Sequence, residues 1–265
     1  MSTPRLFEPI SRRTYLVIAI VAMAALFGAW AAVTYGGLVS DLVLPTPSAV
    51  LKSLQTGWHD GTLVADTRDS VVRILAGFLI SSALAIPVGL FMGSYKVIEA
   101  ALEPPIDFIR YMPAVAFIPL TLIWFGTSAT QKLVILFIGI FFQEVLLIMD
   151  NVKTVPRQLV DMAYTLGLSQ WQVLRTVVFR ASLPGIVDTL RISMGWAWTY
   201  LVVAELVGAE SGLGFRIQQA QRYLDTGAIV LGIMLIGLLG LIFDFSFKFL
   251  YARSFRYLGR TAGAR

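Results

Sequence analysis

The stretch ILAGFLISSALAIPVGLFMGSY, residues 74–95, decides the fold class, because it contains no charged residue. A helix needs about 20 apolar residues, at about 1.5 Å each, to cross a hydrocarbon core about 30 Å thick. Residues 14–40 and 111–131 also reach that length without a charge, and residues 133–149 are interrupted only by Glu144. The sequence therefore predicts an all-α polytopic membrane protein.

The composition agrees with a chain that has lipid as part of its solvent. Of the 265 residues 57% are hydrophobic and 14% are charged, whereas soluble domains carry about 25% charged residues. Two further apolar segments bring the number of predicted transmembrane helices to six. The sequence shows no internal repeat and no soluble domain, so residues 1–265 are predicted to form one transmembrane domain with spans at approximately 14–37, 71–95, 106–126, 131–149, 184–207 and 226–250.

Several classes of site are excluded by residue usage. The chain has no cysteine and a single histidine, His59, which excludes disulfides, thiolate metal sites and a histidine cluster within one chain. We expect no metal site and no cofactor bound by this chain. The first apolar stretch is longer than the 7–15 residues of a signal-peptide core, so we expect an uncleaved first helix.

The lysines and arginines predict the orientation, because they accumulate on the cytoplasmic side of membrane proteins. With both termini in the cytoplasm, the opposite side receives only Lys52, Arg68, Lys132, Arg216 and Arg222. This distribution explains the net charge of +5 without a nucleic-acid partner. The cytoplasmic set is then Arg5, Arg12, Arg13, Lys96, Lys153, Arg157, Arg175, Arg180, Lys248, Arg253, Arg256, Arg260 and Arg265.

Residues 150–183, between the fourth and fifth spans, are predicted to form a helix–turn–helix, which we call the knob. Gly167 suits the position just after a first helix, and Ser169 with Gln172 forms a capping box that opens a second helix. Pro184 is predicted to end that second helix. The predicted apolar stripes are Leu159, Met162, Ala163 and Leu166 in the first helix, and Trp171, Leu174, Val177, Val178 and Ala181 in the second.

Two packed helices with a sharp turn move as one body, so the knob suits the transmission of force. The alternative is an amphipathic hairpin that only seats the protein on the membrane surface. The pattern alone leaves both interpretations open.

The knob also carries a family resemblance. Asp161-Met162-Ala163, followed by Gly167 and by Leu183-Pro184, resembles the EAA motif of bacterial ABC importer permeases, and is most similar to the subgroup for taurine, alkanesulfonate, nitrate and bicarbonate. The chain departs from that motif where Asp161 replaces glutamate, Met162 replaces alanine and Arg180 replaces a proline. Further short segments resemble those of the same family in their order and spacing, and they are spread over most of the chain: residues 44–48, 118–120, 124–126, 204–206 and 212–215.

The resemblance implies a type I ABC importer permease in the bacterial inner membrane, which is a transport subunit and not an enzyme. It implies a second permease copy as a homodimer, two ATPase subunits, and a periplasmic or lipoprotein substrate-binding protein. The solute would be a small anion or zwitterion such as a sulfonate, taurine, nitrate or bicarbonate. This chain has no phosphate-binding loop motif, so ATP and Mg would bind the partner ATPase. The implied ATPase-contact residues are Asp161, Ala163, Gly167, Trp171 and Arg175.

Polar and aromatic residues within the spans are candidates for the translocation path. An ionised side chain at mid-membrane is costly, so Glu144 and Glu205 should face protein or water. The alternative is a buried pair with Arg110 or Arg191, or a position near the interface. Trp196 and Tyr200, four residues apart, are candidates to face the path or else pack ordinarily, and Pro113 and Pro119 should break the third span.

Two other classes of protein compete with the importer. A secondary transporter or channel often shows inverted repeats or a ring of pore charges. A membrane-embedded enzyme would need a His, Cys or paired-carboxylate site. The sequence shows none of these features.

Overall fold

A computed structural model describes residues 10–255, and this part of the chain is helical with no strand. Arg5, Arg256, Arg260 and Arg265 of the predicted cytoplasmic set lie outside the described residues. The elements are α1 (Arg12–Tyr35), α2 (Pro47–His59), α3 (Thr62–Ser94), α4 (Lys96–Arg110), a 3₁₀ turn (Ala114–Phe117), α5 (Ile118–Phe125), α6 (Ala129–Lys153), α7 (Arg157–Thr165), α8 (Gln170–Val173), a π-helical segment (Leu174–Val178), α9 (Phe179–Gly208), α10 (Leu213–Arg222) and α11 (Thr226–Ser254).

The centre of the fold is the pair α3 and α6, which pack along most of their length. Small residues recur every fourth position on α3, at Gly77, Ser81, Ala85, Gly89 and Gly93. Such a stripe lets two membrane helices approach closely. Its glycines lie against α6 in the order of the chain, so the two helices run parallel: the contacts are Gly77 with Leu136, Gly89 with Val145 and Ile148, and Gly93 with Met149 and Val152.

Parallel neighbours require the chain between them to return along the length of the bundle. That return is made by α4, the 3₁₀ turn and α5, which bend by 79° at the break after Arg110. The expected span at 106–126 is therefore not one straight helix. Pro113 lacks an N–H and disfavours a helical conformation at Met112, which explains why α4 cannot continue.

Helix α9 runs antiparallel to α6, since Tyr200 lies against Gly139 and Gly185 lies against Asn151. The π-helical segment joins α8 directly to α9, so the second helix of the knob and the fifth predicted span form one continuous helix. The prediction that Pro184 ends this helix was wrong. Pro184 lies inside α9, where the neighbouring Ser182 hydroxyl donates to the carbonyls of Val178 and Phe179 at 2.9 and 3.1 Å.

Four helices, α1, α3, α6 and α11, are each long and apolar enough to cross a membrane. Two bent pairs, residues 96–125 and residues 170–222, would bring the number among the described residues to six. Helix α3 begins at Thr62, nine residues before the predicted boundary at 71. Helix α1 stands apart from the bundle: none of its most apolar 18-residue window is buried, and the Trp30 indole N–H donates to the Pro45 carbonyl at 3.0 Å near its end.

Contacts at the helix ends define two ends of the bundle. At the knob end, Glu99 of α4 pairs with Lys96 at 2.8 Å and with Lys153 of α6 at 3.0 Å. At the opposite end, the Lys132 ammonium donates to the carbonyls of Thr127 and Gly208, which joins α6 to the end of α9. The assignment of the knob end to the cytoplasm stays a prediction.

Candidate functional site

The turn of the knob is a fully formed Schellman motif centred on Gly167. Gly167 has a φ of 81°, its N–H donates to the Tyr164 carbonyl at 2.9 Å, and the Leu168 N–H donates to the Ala163 carbonyl at 3.2 Å. Glycine is the usual residue in this left-handed conformation because it has no Cβ. The turn predicted at Gly167 is confirmed.

The capping box is also confirmed. The Ser169 hydroxyl accepts from the Gln172 N–H at 3.4 Å, and the Gln172 amide oxygen accepts from the Ser169 N–H at 2.8 Å. These bonds fix the start of α8 at Gln170, with four residues between it and the end of α7 at Thr165. The knob is thus two helices joined by a turn with hydrogen bonds on both sides of it, and not an irregular loop.

The apolar stripes of the knob do not all pack against the bundle. In α7 only Ala163 of the predicted stripe is buried, while Leu159, Met162 and Leu166 are 43%, 60% and 78% exposed. The reason is that α7 turns Val160 and Ala163 toward the core. Three apolar side chains therefore remain on the outer face of α7.

The second stripe divides in the same way. Leu174 and Val178 are buried, with Val173 beside them, whereas Ala181 is exposed. Trp171 is 59% exposed, and its ring stacks on Phe91 of α3 with centroids 6.5 Å apart. Asp161 and Arg175 are exposed. The five predicted ATPase-contact residues thus comprise one buried side chain, Ala163, and four exposed residues, Asp161, Gly167, Trp171 and Arg175.

At the opposite end, Glu205 lies at the centre of a hydrogen-bond network. Its carboxylate has no exposed surface and accepts from the Ser70 hydroxyl at 2.8 Å, from Arg73 Nη1 at 2.7 Å and from the Gly214 N–H at 3.0 Å. The partner is therefore Arg73, and not Arg110 or Arg191. A fully buried charge of this kind is held in place by its partners.

The same network holds the chain that follows α9. Arg73 donates to the Ser211 carbonyl at 2.7 Å, the Gly212 N–H donates to Asp66 at 2.9 Å, and the Leu213 N–H donates to the Ser70 hydroxyl at 2.9 Å. The segment between α9 and α10 is thus fastened to the first turns of α3. This explains why charged residues occur at the start of a helix that continues as a membrane span.

Glu144 is a different kind of buried acid. Its side chain has no exposed surface, and the Ser82 hydroxyl donates to its two oxygens at 3.0 and 3.1 Å. Within residues 10–255 no cation lies at ion-pair distance from it. Arg110 instead pairs with Asp107 at 2.7 Å, and Arg191 pairs with Asp244 at 3.5 Å.

A cavity of about 180 Å³ opens where the chain breaks between α4 and the 3₁₀ turn. Pro113 and Tyr200 are the two predicted path residues that line it, while Glu144, Glu205, Trp196 and Pro119 lie elsewhere. Sequence reasoning missed Gln143 and gave Arg110 no role of its own. Both residues could have been found from the sequence, since each is a polar residue within a largely apolar stretch. The lining consists of Arg110, Met112, Pro113, Ala114, Val115, Ile138, Gly139, Phe142, Gln143 and Tyr200.

Residues 85–256 match the family described as "Binding-protein-dependent transport system inner membrane component". A probable ABC transporter permease protein of Brucella melitensis is 38% identical over 234 residues, which are 88% of this chain and 94% of the relative. The taurine transport system permease protein of Escherichia coli K12 is 34% identical over 250 residues, 92% of this chain and 90% of the relative.

Among solved structures, an inward-facing MetNI methionine ABC transporter superposes with a TM-score of 0.63 at 20% identity. The match covers 75% of this chain and 97% of that chain. At this level of identity the likeness concerns the fold alone. The helical arrangement described above is that of a transporter permease chain.

Proposed function

Because the chain belongs to the family of inner membrane components of binding-protein-dependent transport systems, we propose that it is driven by separate ATPase subunits that dock on the knob. The chain is the permease subunit of an ABC importer. Its relatives are transport permeases. Among residues 10–255 no cluster of three or more His, Asp or Glu side chains is placed to hold a metal ion. ATP and its metal would then bind the partner.

One observation carries the docking proposal: the knob ends in an apolar tip that is rigidly joined to a long helix. Gln170 to Gly208 is helical without interruption, a length of about 58 Å at 1.5 Å per residue. A displacement applied at the turn is therefore carried by α9 toward the Glu205 network at the opposite end. A helix that only rested on the membrane surface would not need this continuity.

The chemistry of the tip suits a protein partner. Leu159, Met162 and Leu166 give an exposed apolar patch, and the knob also exposes the charges of Asp161 on α7 and of Arg175 in the π-helical segment. An apolar centre with a polar rim is the usual anatomy of a protein interface. We therefore retain Asp161, Gly167, Trp171 and Arg175 as ATPase-coupling residues, with Ala163 supporting them from the core side.

The remaining assembly and the substrate are proposed on the family and the relatives. A second permease copy, two ATPase subunits and a periplasmic or lipoprotein binding protein would complete the importer in the bacterial inner membrane, with both termini in the cytoplasm. The printed name of the Escherichia coli relative refers to taurine transport. We propose a small sulfonate, or an anion or zwitterion of similar size, as the solute.

The test is reconstitution with an ATPase and a binding protein encoded beside this chain. We expect ATP-dependent uptake of radiolabelled taurine that requires the binding protein. Leu166→Asp, which places a charge in the apolar tip, should reduce co-purification of the ATPase by about tenfold, since one buried apolar side chain contributes about 1.5–3 kcal/mol.

Val43→Asp is the matched control, because Val43 is 74% exposed and Leu166 is 78% exposed, but Val43 lies before α2 at the opposite end. We expect the control to retain the ATPase. Equal retention by both variants would exclude the knob as the docking surface.

A further inference from the structure

The cavity lined by Arg110, Gln143 and Tyr200 has the composition of an anion-binding site. Arg110 contributes a guanidinium, Gln143 an amide and Tyr200 a phenol, and no carboxylate is among the lining residues. These are the donors that hold sulfonate or carboxylate oxygens, and a guanidinium binds such groups with two parallel hydrogen bonds.

The cavity lies near the middle of α6, which is long and apolar enough to cross a membrane. Gly139 and Gln143 are about 15 and 21 Å from the start of α6, a helix about 37 Å long at 1.5 Å per residue. An arginine at this depth is tolerated where it faces a water-filled cavity or a partner. Its presence therefore needs a reason beyond helix packing.

The guanidinium of Arg110 is oriented but not saturated. Its Nε donates to Asp107 at 2.7 Å and its Nη2 donates to the Tyr111 hydroxyl at 3.2 Å. Nη1 donates to no acceptor within residues 10–255. Asp107 thus fixes the plane of the group from outside the cavity and leaves donors for a ligand.

The backbone around the cavity also indicates a binding site. Residues 111–113 are not helical, and non-helical backbone at membrane depth is tolerated where it lines a cavity or is buried in protein. On the facing side, the Tyr200 ring lies across Gly139, where any Cβ would collide with its ring atoms. The absence of a side chain at position 139 lets the phenol form a wall of the cavity.

We propose that this cavity is a transient binding site for the anionic group of the transported solute, with Arg110 as its main contact. The inference rests on the proposed function and deepens it, because it assigns a specificity determinant to the permease itself. An apolar cavity would be indifferent to charge, whereas this one favours anions over cations of the same size.

The first test measures that preference without requiring transport. The chain has no cysteine, so Val115→Cys places a single thiol in the cavity lining. The rate at which this thiol is modified is compared for two methanethiosulfonate reagents, the anionic 2-sulfonatoethyl and the cationic trimethylammonioethyl compound. The labelling is done on the complex with its ATPase, and the modified fraction of the permease is measured by mass spectrometry. Adding Arg110→Gln should lower the anionic-to-cationic rate ratio by about tenfold, since it removes a unit positive charge from the lining of the same cavity.

Val43→Cys is the control for the labelling, because Val43 is 74% exposed, lies before α2 outside the predicted spans and does not line the cavity. Its rate ratio should change less than about twofold when Arg110→Gln is added, as expected for a distant, screened charge. Excess taurine should slow modification of Val115→Cys only. An unchanged ratio at Val115→Cys would overturn the inference.

The second test measures uptake of radiolabelled taurine by the reconstituted complex. Arg110→Gln should reduce taurine uptake by about tenfold or more while stimulated ATP hydrolysis persists. Arg110→Lys should retain part of the uptake, because lysine keeps the positive charge but lacks the paired N–H donors of the guanidinium. Arg191→Gln is the matched control: its side chain is 32% exposed against 29% for Arg110, and it also pairs with aspartate. We expect near-normal uptake from this variant.

The two tests separate the two proposals. Absence of uptake in the unmodified complex would count against the proposed function, while the labelling ratio would still report on the cavity. Uptake by Arg110→Gln at the unmodified rate would overturn the inference and leave the proposed function intact. The thermal stability of each purified variant shows whether a loss of uptake comes from misfolding. If Arg110→Gln misfolds, uptake by Arg110→Lys is compared with uptake by the unmodified complex instead.

Discussion

Gly167 gives the sharpest test of how the knob works, because its substitutions differ in conformation and not in contacts. A Cβ built at this position meets no atom within 4 Å, so Gly167→Ala adds no clash. The cost is the left-handed backbone, φ 81°, which for an ordinary residue amounts to about 1–2 kcal/mol. Gly167→Asn should cost less, since asparagine adopts this conformation more readily.

Gly167→Pro is the severe member of the series. Proline requires a φ near −65° and has no N–H, so the bond to the Tyr164 carbonyl is lost and the bond from Leu168 to Ala163 cannot form in the same turn. We expect about 3 kcal/mol or more of local destabilisation. Because the turn lies between α7 and the cap of α8, this cost falls on the knob and not on the bundle.

The assay is ATP hydrolysis by the reconstituted complex when stimulated by ligand-loaded binding protein. A loss of 1–2 kcal/mol lowers the ratio of folded to unfolded turn about 5- to 30-fold, so Gly167→Ala should weaken coupling measurably and Gly167→Pro should abolish it. Gly237→Ala is the control, since Gly237 in α11 also has open space but lies within a helix. Equal coupling in the Ala, Asn and Pro variants would refute the reasoning.

Two further predictions concern the bundle, measured as thermal stability in detergent. Gly89→Val should destabilise the protein by about 1–3 kcal/mol, because the added Cβ would lie 2.7 Å from the Val145 carbonyl oxygen. Gly240→Val is the control, because no atom lies within 4 Å of an added Cβ there, and it should change stability by less than about 0.5 kcal/mol. Similar losses of stability in both variants would contradict close α3–α6 packing. Glu205→Gln should cost about 3 kcal/mol because it removes the buried carboxylate that pairs with Arg73, which then keeps only Asp69 at 3.7 Å. Glu144→Gln, with no cation to strand, should cost less than about 1 kcal/mol. A larger loss for Glu144→Gln would show that the two acids have been assigned wrongly.

The parts of the fold that could be predicted are those governed by local chemistry. Charge-free stretches located α1, α3, α6 and α11, since crossing a membrane needs only length and apolarity. Gly167 and the Ser169 capping box were likewise found from the sequence, because the groups that form these motifs lie within a few residues of each other.

The parts that could not be predicted depend on which residues meet across the bundle. Periodicity identified apolar residues in the knob but not the direction they face, so Leu166 was expected in a packed stripe and is exposed. The partner of Glu205 is Arg73, 132 residues away along the chain, and no spacing rule relates them. The cavity at Arg110 combines α4, α6 and α9, and it exists only because the chain breaks at Pro113.

Helix α1 meets the membrane under different conditions from the rest of the chain. Its 24 residues extend about 36 Å, more than a hydrocarbon core of about 30 Å, and none of its most apolar 18-residue window is buried, although Trp30 packs against the cluster of Val50, Leu63 and Leu231. A helix longer than the bilayer is thick accommodates the excess by tilting. Anchored near its end at Trp30, α1 can change its tilt as lipid composition alters bilayer thickness, while the packed helices α3, α6 and α9 keep their geometry. The permease thereby combines one helix whose tilt can follow the lipid with a bundle whose helices are held by packing against one another.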